Sequence, residues 1–97
     1  MNKREMLAEM DSELLCADGW DEHILGTAFS PGRKLLVVYD GDGIINTMIT
    51  RDGMSFEEAV EYFEFNIEGA WVGDRTPVFV RGLNLAEFGE IGGTDAE

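Results

Sequence analysis

The chain has few cations, one cysteine and no long apolar run, and each shortage excludes a class of protein. Seven Lys and Arg stand against 20 Asp and Glu in 97 residues, for a formal net charge of −13. Ordinary nucleic-acid binding needs a cationic footprint, so no direct nucleic-acid partner is expected. Cys16, the single cysteine, cannot pair within the chain and is predicted to be a buried thiol in a reducing cytoplasm. No apolar stretch approaches the ~20 residues that span a bilayer, so no membrane partner is expected either.

The acidic residues lie towards both ends of the sequence. Residues 1–23 carry seven acids and two bases, residues 24–54 carry three of each, and residues 55–81 carry six acids and two bases. This distribution predicts a neutral core with acid on either side of it. The length suits one domain, which we place at residues 1–88, followed by a mobile acidic and glycine-rich tail at 89–97. Charges throughout residues 1–15 argue against a signal peptide.

The stretch from Ser55 to Val80 carries the clearest local signals. Ser55 and Glu58 have the spacing of a capping box, which predicts a helix from about Phe56 to Glu68 with Gly69 as a left-handed cap. Apolar residues recur on one side of this helix at Phe56, Ala59, Val60, Phe63 and Ile67. Trp71 is predicted to be buried over the helix end, and Pro77 to begin a short strand.

The other side of the predicted helix is acidic and contains one aromatic residue. At ~100° per residue, four glutamates form a row without a Lys or Arg, and Phe65 projects near it. The row is either a solvated face or a contact surface with an aromatic anchor. The candidate partner-binding residues are Glu57, Glu61, Glu64, Phe65 and Glu68.

The remaining elements predict a small α+β domain. A helix is predicted for residues 2–16, with a stripe that includes Met6 and Met10, and strands for residues 23–29 and 34–39. Pro31 and Gly32 predict a type II turn between these strands. The second strand is apolar on both faces, as in the centre of a covered sheet. Residues 44–51 fit a helix or a strand, and the helix is preferred. The expected order is α-β-β-α-α-β: a three-stranded, largely antiparallel sheet with a helical hairpin and an N-terminal helix. The third strand is expected to pair antiparallel with the second, or else to lie beside the first.

The turn Asp40-Gly41-Asp42-Gly43 is the one place where an enzyme is suggested. A hydrophobic strand followed by Asp-x-Asp-Gly resembles the first motif of haloacid-dehalogenase-type phosphatases, in which Asp40 would be the nucleophile and Asp42 the general acid. The chain is too short for the further strands of that fold. An EF-hand loop is excluded because Ile45 stands where glycine is needed. We expect a turn in which Asp42 caps the next helix, with no catalytic, metal or cofactor site. His23 has no second His or Cys nearby.

The run DGMSFEEAVEYFEFNIEGAWVGDRTPVFV, preceded by VVYD, resembles a family of small bacterial and phage proteins of uncharacterised function. The resemblance covers about residues 37–80. Members of that family have a basic residue and a cysteine just after the VVYD-like strand, where this chain has Gly43 and Ile44. The resemblance implies no activity.

Three functions are compatible with these observations. The first is a non-enzymatic, cytoplasmic interaction protein, of phage type, that inhibits a basic protein or nucleic-acid-binding complex of a host defence system by resembling DNA. The second is a structural or housekeeping module whose acid serves solubility alone. The third is a small hydrolase built on Asp40 and Asp42. The sequence leaves the oligomeric state open.

Overall fold

The structure is a computed structural model that describes residues 2–82, in which three helices lie against a three-stranded sheet. The element order is α-β-β-α-α-β, which confirms the predicted α+β fold. The predicted tail at 89–97 and the end of the predicted domain at residue 88 lie outside the described residues. The elements are α1 (Lys3–Met10), β1 (Ile24–Ala28), β2 (Leu36–Asp40), α2 (Gly41–Thr50), α3 (Phe56–Tyr62), which continues into a π-helical segment (Phe63–Glu68), and β3 (Val78–Val80).

The sheet has the order β1-β2-β3, with β2 in the centre as predicted. The longer pair, β1 with β2, is antiparallel, and a bulge interrupts its register between Ile24 and Gly26. At the turn before β2, the Arg33 amide donates to the Ser30 carbonyl over 3.0 Å, and Gly32 has a φ of 77°. That positive φ is what the predicted type II turn requires of its glycine.

The direction of β3 differs from the prediction. β3 runs parallel to β2, with Val78 beside Val38 and Val80 beside Asp40, and it does not lie next to β1. The two helices return the chain to the end of β2, but residues 69–77 then carry it back along the sheet before β3 begins. The strand therefore starts level with Val38 and runs in the same direction as β2.

The core lies between the sheet and the helices. Tyr39 of β2 stacks on Phe79 of β3 with ring centroids 5.3 Å apart, and Phe63 meets Phe79 edge-on at 5.5 Å. Phe63 is fully buried, as predicted. The buried apolar residues form one cluster, which consists of Leu7, Ile24, Val37, Tyr39, Ile44, Ile45, Met48, Ala59 and Phe63.

The first helix is shorter than predicted. Its capping box between Asn2 and Glu5 is present, but α1 ends at Met10, and the rest of the predicted helix to residue 16 is wrong. Past Asp11 the chain packs Leu14 and Cys16 against the core, and the Ala17 amide donates to the Tyr39 hydroxyl over 2.6 Å. Cys16 is partly buried there. These tertiary contacts outweigh the helical pattern.

The predicted stripe of α1 is also only partly correct. Leu7 is buried, whereas Met6 and Met10 are more than half exposed. One buried residue in eight means that α1 is attached to the core mainly at its middle.

Candidate functional site

The candidate site is the outer side of α3 and the π-helical segment, and a capping box fixes where this helix begins. The Ser55 hydroxyl accepts from the Glu58 amide over 3.1 Å, and the Glu58 carboxylate accepts from the Ser55 amide over 2.9 Å. The hydrogen bond from the Ser55 amide holds the pKa of Glu58 below its ordinary value. The charge of Glu58 is thus engaged at the helix start and does not belong to the acidic row.

The row of glutamates faces solvent. Ala59 and Phe63 are completely buried on the inner side of the helix, and this orients the opposite side outwards. All four carboxylates are exposed, at Glu57, Glu61, Glu64 and Glu68. Within residues 2–82, neither Glu57 nor Glu61 forms a hydrogen bond or an ion pair.

The second half of the helix has π rather than α geometry. Residues Phe63–Glu68 form a π-helical segment, in which hydrogen bonds span five residues and the turn is wider. The predicted left-handed cap at Gly69 is wrong, because its φ is −79°. Glycine is needed there for a different reason: a Cβ at Gly69 would lie 2.6 Å from the Glu64 carbonyl oxygen. A constant α-helical period of ~100° per residue does not predict the wider turn of the π-helical segment.

A cation reaches the row from the end of β3. Arg81 lies 3.1 Å from the Glu64 carboxylate and 3.9 Å from that of Glu68, and its guanidinium sits 5.5 Å from the centre of the Phe63 ring. The row contains no Lys or Arg of its own, but Arg81 partly neutralises its second half. Within the row, the carboxylates that Arg81 does not approach are therefore those of Glu57 and Glu61.

Aromatic side chains accompany these carboxylates. Phe65 is 76% exposed, so it projects outside the apolar stripe, as predicted. Sequence reasoning missed that Phe56 and Tyr62 are also exposed; Phe56 was assigned to the buried stripe. Phe56 is the first residue of α3, and a helical side chain leans towards the N-terminus of its helix, so this ring projects past the start of α3. The position of Phe56 at the capping-box start was the signal that could have revealed this.

The prediction that Trp71 is buried is wrong, because Trp71 is 76% exposed. It lies just past the π-helical segment, in a stretch where Ala70 and Val72 are exposed as well. The loop that follows is held by Thr76, whose hydroxyl accepts from the Val72 amide over 2.9 Å and donates to the Gly73 carbonyl.

In the acidic turn after β2, both aspartates accept hydrogen bonds from backbone amides. Asp40, not Asp42, caps α2, because its carboxylate accepts from the Gly43 amide over 3.0 Å. The prediction that Asp42 is the cap is wrong. Its carboxylate accepts from the Gly82 amide over 2.7 Å and thus joins the start of α2 to the end of β3. The helix itself, preferred over a strand from sequence, is confirmed.

The single histidine lies close to this turn. The Nε2 atom of His23 is 2.8 Å from the Thr47 hydroxyl, and a Cβ at Gly43 would lie 2.7 Å from His23 Nδ1. Among residues 2–82, no three His, Cys, Asp or Glu side chains are grouped as metal ligands would be. Over the same residues, no helix combines the length and apolarity needed to cross a membrane.

No protein-family model, curated protein or solved structure matches this chain.

Proposed function

We propose that this protein is a small acidic interaction protein without catalytic activity, and that it binds a basic protein through the outer side of α3 and the π-helical segment. The observation that carries the proposal is Phe65, which is 76% exposed on a helix whose outer carboxylates are exposed as well. An exposed aromatic side chain beside a charged surface matches the pattern of an interface anchor with a charged rim. The proposed contact residues are Glu57, Glu61, Glu64, Phe65 and Glu68.

Charge favours a basic partner. The formal net charge of −13 steers cationic proteins towards the molecule, and Glu57 and Glu61 offer carboxylates without partners among residues 2–82. Rim charges act mainly on the association rate and on its salt dependence. Phe65 then supplies apolar surface that can be buried in the interface and so adds to the affinity, which long-range attraction between charges does not do.

A nucleic-acid-binding protein is the class of basic partner that we favour. With a rise of ~1.5 Å per residue, carboxylates four residues apart are ~6 Å apart, which is comparable in scale to neighbouring backbone phosphates. We therefore infer a DNA-like inhibitor of a host defence nuclease or a related complex, of the kind that a phage would encode, acting in the cytoplasm. Because Arg81 partly neutralises Glu64 and Glu68, the resemblance to DNA centres on Glu57 and Glu61.

The proposal assigns no reaction to the turn after β2. Asp40 and Asp42, the pair that would act in a small phosphohydrolase, each accept a hydrogen bond from a backbone amide. These bonds give both carboxylates a role in joining β2, α2 and β3.

The test is capture from a bacterial lysate, followed by titration of the captured protein. Wild-type protein should retain one basic, nucleic-acid-binding protein at low salt and release it at high salt, and duplex DNA should compete with this retention. Replacing Glu57 and Glu61 by Gln should weaken binding at low salt more than at high salt. The same variant should melt at or slightly above the wild-type temperature, because removing like charges at i,i+4 gains a few tenths of a kcal/mol.

The matched control is Glu9→Gln with Glu22→Gln. It also removes two negative charges, but from exposed positions in α1 and just before β1. Equal binding by both double variants would show that net charge alone acts and would favour a structural module whose acid serves solubility. Absence of any salt-sensitive partner would also contradict the proposal.

A further inference from the structure

Arg81, the cation that reaches the acidic row, is held in place by three contacts. Its guanidinium sits 5.5 Å from the centre of the Phe63 ring. A Cβ at Gly41 would lie 3.0 Å from the Arg81 Cγ, so the stem of the side chain packs against the start of α2. The next residue, Gly82, donates its amide to the Asp42 carboxylate over 2.7 Å. The positive charge therefore occupies a fixed place on this surface.

This fixed charge divides the acidic row into two halves. The Arg81 Nη1 atom lies 3.1 Å from the Glu64 carboxylate and 3.9 Å from that of Glu68. In the described part of the chain, neither Glu57 nor Glu61 forms an ion pair. The first half of the row thus presents two carboxylates, whereas the second half combines two carboxylates with a guanidinium.

These ion pairs change the pattern of charge more than they change stability. The Arg81 side chain is 33% exposed and the Glu64 side chain 50%, and ion pairs open to water contribute little to the free energy of unfolding. An approaching cation nevertheless feels a charge within ~10 Å, the Debye length at about 0.1 M salt. A cationic group at Glu64 is therefore repelled by Arg81, whereas one at Glu57, ~10 Å further along the helix axis, is repelled much less.

We propose that Arg81 is a specificity-determining residue of the contact surface, because it directs the cationic groups of a partner to Glu57 and Glu61. This inference rests on the proposed function and narrows the class of partner. Glu57 and Glu61 are ~6 Å apart, whereas the whole row extends over ~16 Å along the helix axis. The matching feature of the partner is a short cationic patch of the size that holds two neighbouring phosphates, and not a cationic groove along the whole helix.

Titration with a pentalysine peptide tests the role of Arg81 without the natural partner. Backbone amide resonances of the full chain are followed by nuclear magnetic resonance at low salt. In the wild type, the peptide should shift the amides of Glu57 and Glu61 further than those of Glu64 and Glu68. Equal shifts in the two halves of the row would overturn the inference.

Variants of Arg81 and a matched control identify the cause of this preference. Arg81→Gln should abolish the difference between the two halves and lower the dissociation constant of pentalysine about threefold, which is the effect of one unit charge ~7 Å away in water. Arg81→Lys retains the charge and should retain the difference. Arg33→Gln removes the same charge from an exposed position in the turn between β1 and β2, and it should leave the difference unchanged. If Arg81→Gln and Arg33→Gln behave alike, Arg81 does not direct cations and the inference is wrong.

Failure of this inference and failure of the proposed function give different results. A pentalysine preference for Glu57 and Glu61 without any captured partner would contradict the proposed function but support the role of Arg81. A captured partner whose affinity changes equally in Arg81→Gln and Arg33→Gln would support the contact surface and overturn the role of Arg81.

Discussion

The two helices of the hairpin carry opposite kinds of residues. Helix α2 buries Gly41, Ile44, Ile45 and Met48, and its one acid, Asp42, binds the backbone of Gly82. Helix α3 with the π-helical segment is longer but buries only Ala59 and Phe63. It carries five glutamates, all exposed.

Helix α2 therefore stabilises the fold, whereas the outer side of α3 and the π-helical segment is available for contact. Two completely buried residues, Ala59 and Phe63, attach α3 and the π-helical segment to the core, and the partly buried Val60 and Ile67 pack beside them. Most of the remaining positions are free of packing constraints, and they are occupied by carboxylates and exposed aromatic rings. In α2 nearly every apolar residue contributes to the core cluster.

The largest expected effect is the difference between two phenylalanines that are two residues apart in sequence. Phe63→Ala should lower the free energy of unfolding by about 3–5 kcal/mol, since it removes a completely buried ring. Phe65→Ala should change it by less than about 0.5 kcal/mol, because Phe65 is mostly exposed. Urea unfolding of the two variants measures both values. Similar losses for the two would place Phe65 in the core and remove the distinction between the helix sides.

The titration of Tyr39 sharpens the contrast between core and surface. Burial raises the pKa of Tyr39 from 10.0 to about 12. Because the pKa is higher in the folded state, the stabilisation from neutral Tyr39 is complete below pH 10 and is lost as the pH rises towards 12.

Absorbance of the phenolate measures this titration. Tyr62→Phe removes the other tyrosine, so the signal reports Tyr39 alone. A midpoint near 12 coinciding with loss of structure is expected, whereas a midpoint near 10 in folded protein would show that Tyr39 is open to water.

A smaller effect is expected at the two capping boxes. Ser55→Ala should lower the free energy of unfolding by about 1 kcal/mol, because the Glu58 amide loses its acceptor. Asn2→Ala removes the equivalent contact from α1, which buries only Leu7, so the loss should be smaller. Thermal melts compare the two variants. A larger loss at Asn2 would show that α1 is more important for the fold than its burial indicates.

Much of the fold follows from signals that lie within a few residues of one another. Ser55 with Glu58, Asn2 with Glu5, and Pro31 with Gly32 each determine a local geometry, and all three were predicted correctly. The central position of β2 follows from its apolar run. These features need no knowledge of distant contacts, because the atoms involved are neighbours in the chain.

The predictions that were wrong depend on contacts between residues that are far apart in the sequence. The chain after α1 is held to the core by contacts such as the hydrogen bond from the Ala17 amide to the Tyr39 hydroxyl, and the direction of β3 depends on the path of residues 69–77. At the site, the exposed glutamates and Phe65 followed from helical periodicity. The positions of Arg81 and Trp71 did not, because Arg81 arrives from the end of β3 and Trp71 lies in a stretch that the fold leaves outside the core.

We propose that the outer side of α3 and the π-helical segment is a contact surface that the fold does not require. The most direct measurement is the dissociation constant of Phe65→Ala for the captured basic partner, with urea unfolding of the same preparation. We predict binding at least about tenfold weaker, equivalent to ~1.4 kcal/mol, with an unchanged unfolding midpoint. Wild-type affinity in the folded variant would contradict the claim and show that Phe65 does not bind the partner.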